Sequence, residues 1–456
     1  MTDDGSAPAG LRQISSLLVA GIALVLVLGA WFPGRNHVSP YRTLPDVDSV
    51  WSSDIFDSFA SYQTVAAVRG DVLYVAGEFD RGDAVLIAFD KLNGDELWRT
   101  EFPAIYPRLL HIDADLLVVQ QGERSASVFS VSDGRLLWEA PHGIYDVVQS
   151  PAGLHLMGFF NRGPGDSADV ITVEPVTGEV LWKWDAVGIA LYDHEYIAQG
   201  DTLYLNTTSR LVALNIESGQ RQWKVDFAEV AEPDEEDYQG GTHISGSLGV
   251  ALDADGELVG FDPDSGEVLW RQLFPATGGA GNVSLIHADS EALIFSDSSG
   301  VRSVSLVGEE LWHVDEVGGC WVFPVTVVDG LVIAETQGGA SMAFDAKSGA
   351  ITWISAIHVR SDETWAESSG RRLVLSDNFL KIVNRDSGQA LLSLPISRSE
   401  GRDHGSAHPV LDGELIYTFA EDGAITAFRL DDLLTAGEQD PTQGLPSSAE
   451  ISCQDS

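Results

Sequence analysis

One hairpin motif recurs along this chain and constrains its fold more than any other feature. Eight copies share a glycine four residues before a tryptophan position, as in GFDPDSGEVLW (Gly260 to Trp270). The glycines are Gly94, Gly134, Gly178, Gly219, Gly266, Gly308, Gly349 and Gly388. Seven copies end in Trp98, Trp138, Trp182, Trp223, Trp270, Trp312 or Trp353, and the eighth has Leu392 in that position. Such a repeat predicts one structural unit copied many times rather than several unrelated domains.

The residues of the motif predict a β-hairpin. Glycine reaches the positive φ that a hairpin with a bulge requires. In six copies an acidic or amide residue lies eight positions before the tryptophan position, where its side chain can bond the backbone of the turn: Asp90, Glu174, Asn215, Asp262, Asp345 and Asn384. Alternating apolar strands precede the hairpins, as at 71–78, 201–206 and 330–336. Each repeat is therefore predicted to form four short antiparallel strands.

The spacing of the motif predicts how the repeats assemble. Successive tryptophan positions are 40, 44, 41, 47, 42, 41 and 39 residues apart. Four-stranded units at this period are typical of β-propeller blades, and neighbouring blades must stack because one sheet cannot bury both faces. The fold class expected is all-β, a single β-propeller over residues 50–435.

The two ends of the repeat region predict a shared blade. Residues 50–56 (VWSSDIF) resemble an outer strand carrying Trp51, without its hairpin. Residues 413–430 resemble the inner strands without an outer one. Joined, they form one composite blade that closes the set. Literal counting gives nine blades.

An apolar segment precedes the repeats. Residues 14–32 (ISSLLVAGIALVLVLGAWF) carry no charge, and this segment is long enough to form one transmembrane helix. We expect an uncleaved signal anchor in the cell membrane with the propeller extracytoplasmic; a cleaved signal peptide is the alternative. Residues 1–13 form a cytoplasmic or leader tail, 33–49 a linker and 436–456 a disordered acidic tail in this interpretation.

The charge of the chain restricts its partners. Asp and Glu number 69 against 26 Lys and Arg, for a net charge of −43. A field of this sign repels nucleic acid and anionic lipid, so neither is expected as a ligand. Two cysteines, Cys320 and Cys453, define neither a disulfide framework nor a zinc site, and whether they pair stays open.

Other candidate sites are isolated. His404 and His408 form the closest histidine pair, and residues 253–257 (DADGE) carry part of a calcium loop. The acidic run 228–239 is interpreted as a solvated loop, with a docking site for calcium or a basic partner as the alternative. The glycine-rich stretch 278–281 lacks the lysine of a phosphate-binding loop. None of these predicts a catalytic, cofactor-binding or metal site.

The repeated hairpin resembles the tryptophan-docking motif of the PQQ-type (quinoprotein-like) β-propeller superfamily, from Trp51 to Leu430. Members usually have eight blades, so the resemblance implies eight where literal counting gives nine. It also implies that each tryptophan docks between adjacent blades: Trp51, Trp98, Trp138, Trp182, Trp223, Trp270, Trp312 and Trp353. The superfamily includes both quinoprotein dehydrogenases and cofactor-free proteins.

The resemblance favours a protein without catalytic activity. Dehydrogenases of the superfamily carry adjacent cysteines above the cofactor, and this chain has no adjacent cysteines. It is closest in character to the propeller lipoprotein of the outer-membrane assembly machinery. We therefore expect a non-catalytic protein-binding or scaffolding module without a cofactor, whose partners are envelope or membrane proteins. The alternatives are a dehydrogenase dependent on PQQ with calcium and a calcium-responsive surface sensor.

Overall fold

The computed structural model describes residues 48–438 with gaps between strands. The gaps are 55–63, 81–82, 105–106, 114, 122–124, 141–142, 160–168, 186–195, 208–209, 227–241, 253–256, 274–283, 290, 298–299, 318–319, 337–339, 356–364, 370–371, 377–378, 396–408 and 420–423. The predicted span 14–32 and the tail beyond 438 lie outside the described residues. No helix within the described part is long and apolar enough to cross a membrane.

The described residues form nine antiparallel sheets, which we number in chain order. The first strand, β1 (Trp51–Asp54), belongs to sheet 9, and sheet 1 begins with β2. Sheets 1 to 4 are β2 (Thr64–Arg69), β3 (Val72–Asp80), β4 (Asp83–Asp90), β5 (Glu96–Pro103); β6 (Pro107–Ile112), β7 (Leu116–Gln121), β8 (Ser125–Ser130), β9 (Leu136–Ala140); β10 (Gly143–Ser150), β11 (Gly153–Phe159), β12 (Asp169–Val173), β13 (Val180–Asp185); and β14 (Tyr196–Gln199), β15 (Thr202–Thr207), β16 (Arg210–Asn215), β17 (Arg221–Asp226).

The remaining sheets follow the same order along the chain. Sheets 5 to 9 are β18 (Thr242–Ser245), β19 (Leu248–Leu252), β20 (Glu257–Phe261), β21 (Val268–Leu273); β22 (Ser284–Ala288), β23 (Ala292–Asp297), β24 (Gly300–Ser305), β25 (Glu310–Val314); β26 (Glu316–Val317), β27 (Cys320–Val328), β28 (Leu331–Thr336), β29 (Ser341–Asp345), β30 (Ile351–Ser355); β31 (Trp365–Ser369), β32 (Arg372–Ser376), β33 (Phe379–Asn384), β34 (Ala390–Pro395); and β35 (Val410–Asp412), β36 (Leu415–Phe419), β37 (Ala424–Arg429) with β1. A helix, α1 (Leu430–Glu438), follows β37.

Eight sheets have four strands, and sheet 7 gains a fifth from the two-residue strand β26. Among the described residues the total is nine sheets, the number given by literal repeat counting, where the resemblance implies eight. The composite sheet is confirmed: β1 pairs with β37, with Trp51 opposite Ala427 and Asp54 opposite Ala424.

The hydrophobic core lies between the sheets rather than at one centre. Nine clusters of buried side chains each join one sheet to the next. The last of them joins sheet 9 to sheet 1, where Tyr417 packs with Phe89. Because sheet 9 also packs on sheet 8, the series of contacts closes on itself, an arrangement consistent with a β-propeller.

Candidate functional site

The repeated tryptophans lie at the boundaries between sheets. In seven of them the indole Nε1 donates a hydrogen bond to a backbone carbonyl in the hairpin of the following sheet. That carbonyl belongs to the residue three positions before the hairpin glycine. The pairs are Trp51–Lys91 (3.0 Å), Trp98–Val131 (2.9 Å), Trp138–Pro175 (2.8 Å), Trp182–Ile216 (2.9 Å), Trp223–Pro263 (3.0 Å), Trp312–Ala346 (3.0 Å) and Trp353–Arg385 (2.7 Å).

The hairpin glycines are the surfaces on which these rings lie. All eight have φ between 63° and 84°, in the region that favours glycine. A Cβ atom on any of them would lie between 2.3 and 3.0 Å from the preceding sheet's indole, as between Gly134 and Trp98. The sequence predicts that these positions require positive φ, but it does not predict that they must also leave room for an indole of the preceding sheet. Each glycine therefore serves both its own turn and the neighbouring tryptophan.

Aromatic side chains complete some of the docking contacts. The Trp223 ring lies between Tyr204 of its own sheet, at a centroid distance of 5.8 Å, and Phe261 of the next, at 5.5 Å. The Tyr204 hydroxyl also donates to the Pro263 carbonyl, at 3.3 Å. Burial raises the pKa of Tyr204 and keeps this hydroxyl a donor. Trp51 has the same surroundings, since Tyr417 donates to the Lys91 carbonyl at 3.1 Å.

Sheet 3 has a histidine where sheets 4 and 9 have Tyr204 and Tyr417, and where sheet 1 has Tyr74, whose ring lies 6.0 Å from that of Trp98. His155 is fully buried, and its ring lies 5.7 Å from that of Trp182. Its Nδ1 and Nε2 atoms lie 2.6 Å from the Thr172 hydroxyl and 2.7 Å from the Ser150 hydroxyl. Burial lowers the pKa of His155 to about 4, so the ring is neutral at pH 7. Sequence reasoning missed this position; its signal is the Leu-aromatic pair that recurs in second strands, as in Leu203-Tyr204.

The acidic residues of the motif hold the turns. Asp262 Oδ1 accepts hydrogen bonds from the amides of Asp264 and Ser265 and from the Ser265 hydroxyl. The bonds from the Ser265 amide and hydroxyl lower the pKa of Asp262. Asp345 is placed in the same way, and its pKa is lowered by the Ser348 hydroxyl. These carboxylates are used within the hairpins and do not converge on a common site.

One docking contact is incomplete. Trp270 Nε1 is buried without a hydrogen-bond partner among the described residues. The hairpin of sheet 6 is one residue shorter, because the Gly308 amide bonds the carbonyl of Ser305, three positions back, whereas Gly266 bonds Asp262, four positions back. The residue three positions before the glycine is therefore Ser305, which begins this turn, whereas in the seven complete contacts it is the residue after the one that begins the turn, as with Pro263 after Asp262. The sequence signal of this shorter turn is the short copy of the motif, SLVGEELW (Ser305 to Trp312).

The boundary between sheets 8 and 9 is covered by a helix instead of a docked tryptophan. In sheet 9 the tryptophan strand β1 comes from the start of the repeats, so no hairpin joins it to β37. Helix α1 follows β37 in the place of that hairpin. Leu430, Leu433 and Leu434 of the helix pack with Ile382 of sheet 8 and Phe428 of sheet 9. The helix extends to Glu438, so residues 436–438 are helical and not part of an unstructured tail, because the apolar side of the helix covers this boundary.

Most of the other candidates from the sequence lie in parts of the chain that the structure does not describe. His404, His408, Cys453, 228–239, 253–256 and 278–281 lie outside the described residues, and Cys320 lies in β27. Within the described ranges, no group of three or more His, Cys, Asp or Glu side chains is placed to hold a metal ion. Whether Cys320 and Cys453 pair stays open.

Comparison with known proteins places the chain in a family. A PQQ-type repeat model described as "Outer membrane protein assembly factor BamB" matches residues 45–183, 159–299 and 254–432. The chain belongs to this family. It is 24% identical to the outer membrane protein assembly factor BamB of Burkholderia pseudomallei over 433 residues, covering 90% of this chain and 97% of that protein. It is 22% identical to that of Shewanella oneidensis, covering 83% and 98%.

A solved structure has a similar fold. The quinohemoprotein alcohol dehydrogenase of Comamonas testosteroni matches with a TM-score of 0.50 and 12% identity, covering 86% of this chain and 78% of that one. At this identity the similarity supports the fold alone, and it carries no chemistry to this family member.

Proposed function

We propose that this chain is a non-catalytic binding or scaffolding module of the cell envelope, whose partners are other envelope or membrane proteins. The observation that carries the proposal is the full-length match to relatives named outer membrane protein assembly factors, which covers 97% and 98% of their lengths. Because this chain matches almost the whole length of those relatives, they contain no additional catalytic domain that is missing from this chain. No PQQ, calcium or nucleic acid is part of the proposal.

The use of the repeated residues supports this function. The tryptophans, glycines and turn carboxylates of the motif contact each other or their own hairpins. These residues hold the sheets together, so we expect the outer strands and connecting loops to determine which partners bind. Surfaces of this kind on a rigid scaffold suit partner binding. We place the propeller outside the cytoplasm, anchored by residues 14–32.

Crosslinking in the native host tests the proposal. The tagged full chain is crosslinked in cells, captured under denaturing conditions and analysed by mass spectrometry, with an equally abundant unrelated envelope protein as control. We expect specific enrichment of envelope proteins. No enrichment over the control would contradict the proposal, and so would dye reduction by purified protein supplied with PQQ, Ca²⁺ and an alcohol. A melting temperature that rises in millimolar Ca²⁺ would favour the sensor alternative.

A further inference from the structure

The tryptophan between sheets 5 and 6 lies closer to its own sheet than to the next one. Trp270 Nε1 is buried with no hydrogen-bond partner among the described residues, whereas the indoles at the seven other tryptophan boundaries donate to the following sheet. A Cβ atom at Gly260 of sheet 5 would lie 2.1 Å from the Trp270 ring, and one at Gly308 of sheet 6 would lie 3.0 Å from it. This boundary therefore lacks the hydrogen bond that joins neighbouring sheets at those seven.

A second buried polar atom lies at the same boundary. His243 of β18 is opposite Val250, one of the apolar residues that pack sheet 5 against sheet 6. The His243 side chain donates a hydrogen bond to the backbone carbonyl of Asp289, in the turn between β22 and β23 of sheet 6. Its Nε2 atom is buried and has no partner among the residues that the structure describes, so Nδ1 makes this bond. The imidazole thus links the two sheets through one nitrogen while the other is enclosed.

Protonation of His243 would add a second donor where the boundary offers no acceptor. Burial is the largest influence on the pKa of His243 and lowers it; the Asp289 carbonyl and carboxylate raise the pKa, and His287 lowers it. The adjacent strand β19 (LGVAL) carries no charge, and Glu291, further along the sheet 6 turn, contacts Lys347 at 3.0 Å. Because the net shift is downward, a state in which this ring reaches water binds the proton more readily than the closed state.

The boundary where the two ends of the repeat region meet is held by more contacts. Trp51 and Tyr417 of sheet 9 both donate to the Lys91 carbonyl of sheet 1, at 3.0 and 3.1 Å. The Lys91 ammonium also contacts the Asp412 carboxylate at 2.7 Å, with both side chains largely buried. Polar groups that are paired at this boundary correspond to unpaired ones between sheets 5 and 6. The joined ends are therefore not the weakest point of the closed series.

We propose that the closed series of sheets opens more readily between sheets 5 and 6 than at the boundaries with a bonded indole, and that protonation of His243 promotes this opening. The apolar faces that separate include Leu258 of sheet 5 and Val304 of sheet 6, both fully buried. The opening is local, since each sheet keeps its own strand pairing. This pH-sensitive boundary is a property of the fold and does not depend on the proposed function.

Thiol labelling of buried cysteines tests the position of the opening. With Cys320 and Cys453 replaced by serine, Val304→Cys reports on the boundary from sheet 6 and Leu258→Cys reports on it from sheet 5. The controls replace buried valines at boundaries with a bonded indole: Val75→Cys (sheets 9 and 1), Val173→Cys (sheets 2 and 3) and Val383→Cys (sheets 7 and 8). Val173 and Val383 match Val304 in register, since each lies opposite the residue two before the tryptophan position.

The rate of reaction with 4,4′-dithiodipyridine in native buffer is divided by the rate of the same variant in concentrated urea. At about pH 7.5, we expect the two probes between sheets 5 and 6 to react about tenfold faster than the controls, or more. Leu258→Cys carries the comparison if Val304→Cys fails to fold. Labelling at equal rates at all four boundaries, or no labelling of native protein by either probe, would overturn the inference.

Lowering the pH tests the role of His243. From about pH 7.5 to about pH 5.5, Val304→Cys labelling relative to Val383→Cys should rise by up to about tenfold, because the exposed ring titrates near 6.5 and the buried ring below it. His243→Asn keeps a donor near the Nδ1 position without titrating and should abolish the rise. The control His111→Gln keeps a donor to Gln149, which His111 contacts at 2.7 Å, and should leave the rise unchanged. A rise that persists in His243→Asn, or no rise at all, would contradict the pH dependence.

A repaired hairpin tests the cause of the weakness. Residues 305–309 (SLVGE) are replaced by the hairpin of sheet 7, residues 345–350 (DAKSGA), which restores the length of the complete copies. The carbonyl that corresponds to Ala346 then becomes available to Trp270 Nε1, as Ala346 is to Trp312. We expect Leu258→Cys labelling to slow to the rate of the controls. Unchanged labelling would contradict the assignment of the opening to the incomplete docking contact.

Discussion

Replacing single tryptophans by phenylalanine should separate complete from incomplete docking contacts. Trp312 Nε1 donates to the Ala346 carbonyl at 3.0 Å, whereas Trp270 Nε1 is buried with no acceptor among the residues that the structure describes. Trp312→Phe loses that hydrogen bond, worth about 1 kcal/mol net, and roughly 40 Å² of buried ring, worth about 1 kcal/mol more. Trp270→Phe loses a similar ring area but removes a buried unpaired donor, whose desolvation costs about 1–3 kcal/mol.

The expected outcome is a difference in sign or size between the two variants. Trp312→Phe should lower the free energy of unfolding by about 2 kcal/mol, and Trp270→Phe should leave it unchanged or raise it. Equilibrium urea unfolding followed by far-UV circular dichroism measures both, because this signal reports the loss of the strands and depends less on the number of indoles than tryptophan fluorescence does. Comparable m-values are needed for the comparison. Equal losses in the two variants would refute the explanation based on the short hairpin of sheet 6.

Three other perturbations have defined outcomes. Because the pKa of His155 is about 4 when folded and 6.5 ordinarily, protonation favours the unfolded chain: stability should fall by up to about 3 kcal/mol as pH drops from about 6.5 to 4, and His155→Tyr should flatten urea midpoints over that range. Gly349→Ala should destabilise more than Gly330→Ala in the same assay, because both glycines have positive φ but only at Gly349 would the added Cβ atom lie 2.8 Å from an indole, that of Trp312; equal effects would contradict a docking role. The melting temperature should rise with added NaCl, which screens a net charge of −43, and a fall would contradict self-repulsion.

The features that recur are those the sequence predicts. A glycine at a fixed distance before each tryptophan position predicts the hairpin, because a turn that requires positive φ explains why the glycine recurs in all eight copies. The period of the motif predicts four-stranded sheets, and the incomplete repeats at 50–56 and 413–430 predict the composite sheet that β1 and β37 form. These inferences depend on local backbone chemistry and on counting.

Features that occur once or in a few sheets could not be predicted in this way. The aromatic neighbours Tyr204 and His155 are present in a minority of second strands, so the Leu-aromatic pair that marks them is too infrequent to define a period. Within the described ranges a helix, α1, covers a single boundary, where no tryptophan hairpin is available. The contact of each tryptophan with a glycine of the next sheet joins residues more than thirty positions apart, as with Trp98 and Gly134, and only packing between sheets establishes it.

A disulfide between the two ends of the sheet series tests the central claim, that the docked sheets form a closed set. Ser52 of β1 and Thr426 of β37 are directly opposite, with their hydroxyl oxygens 3.3 Å apart. Paired strand residues lie within the Cα separation that a disulfide requires. With Cys320 and Cys453 replaced by serine, the Ser52→Cys/Thr426→Cys chain should oxidise to a single intramolecular crosslink in native buffer. Failure to crosslink while native, or crosslinking only between molecules, would contradict closure by the composite sheet.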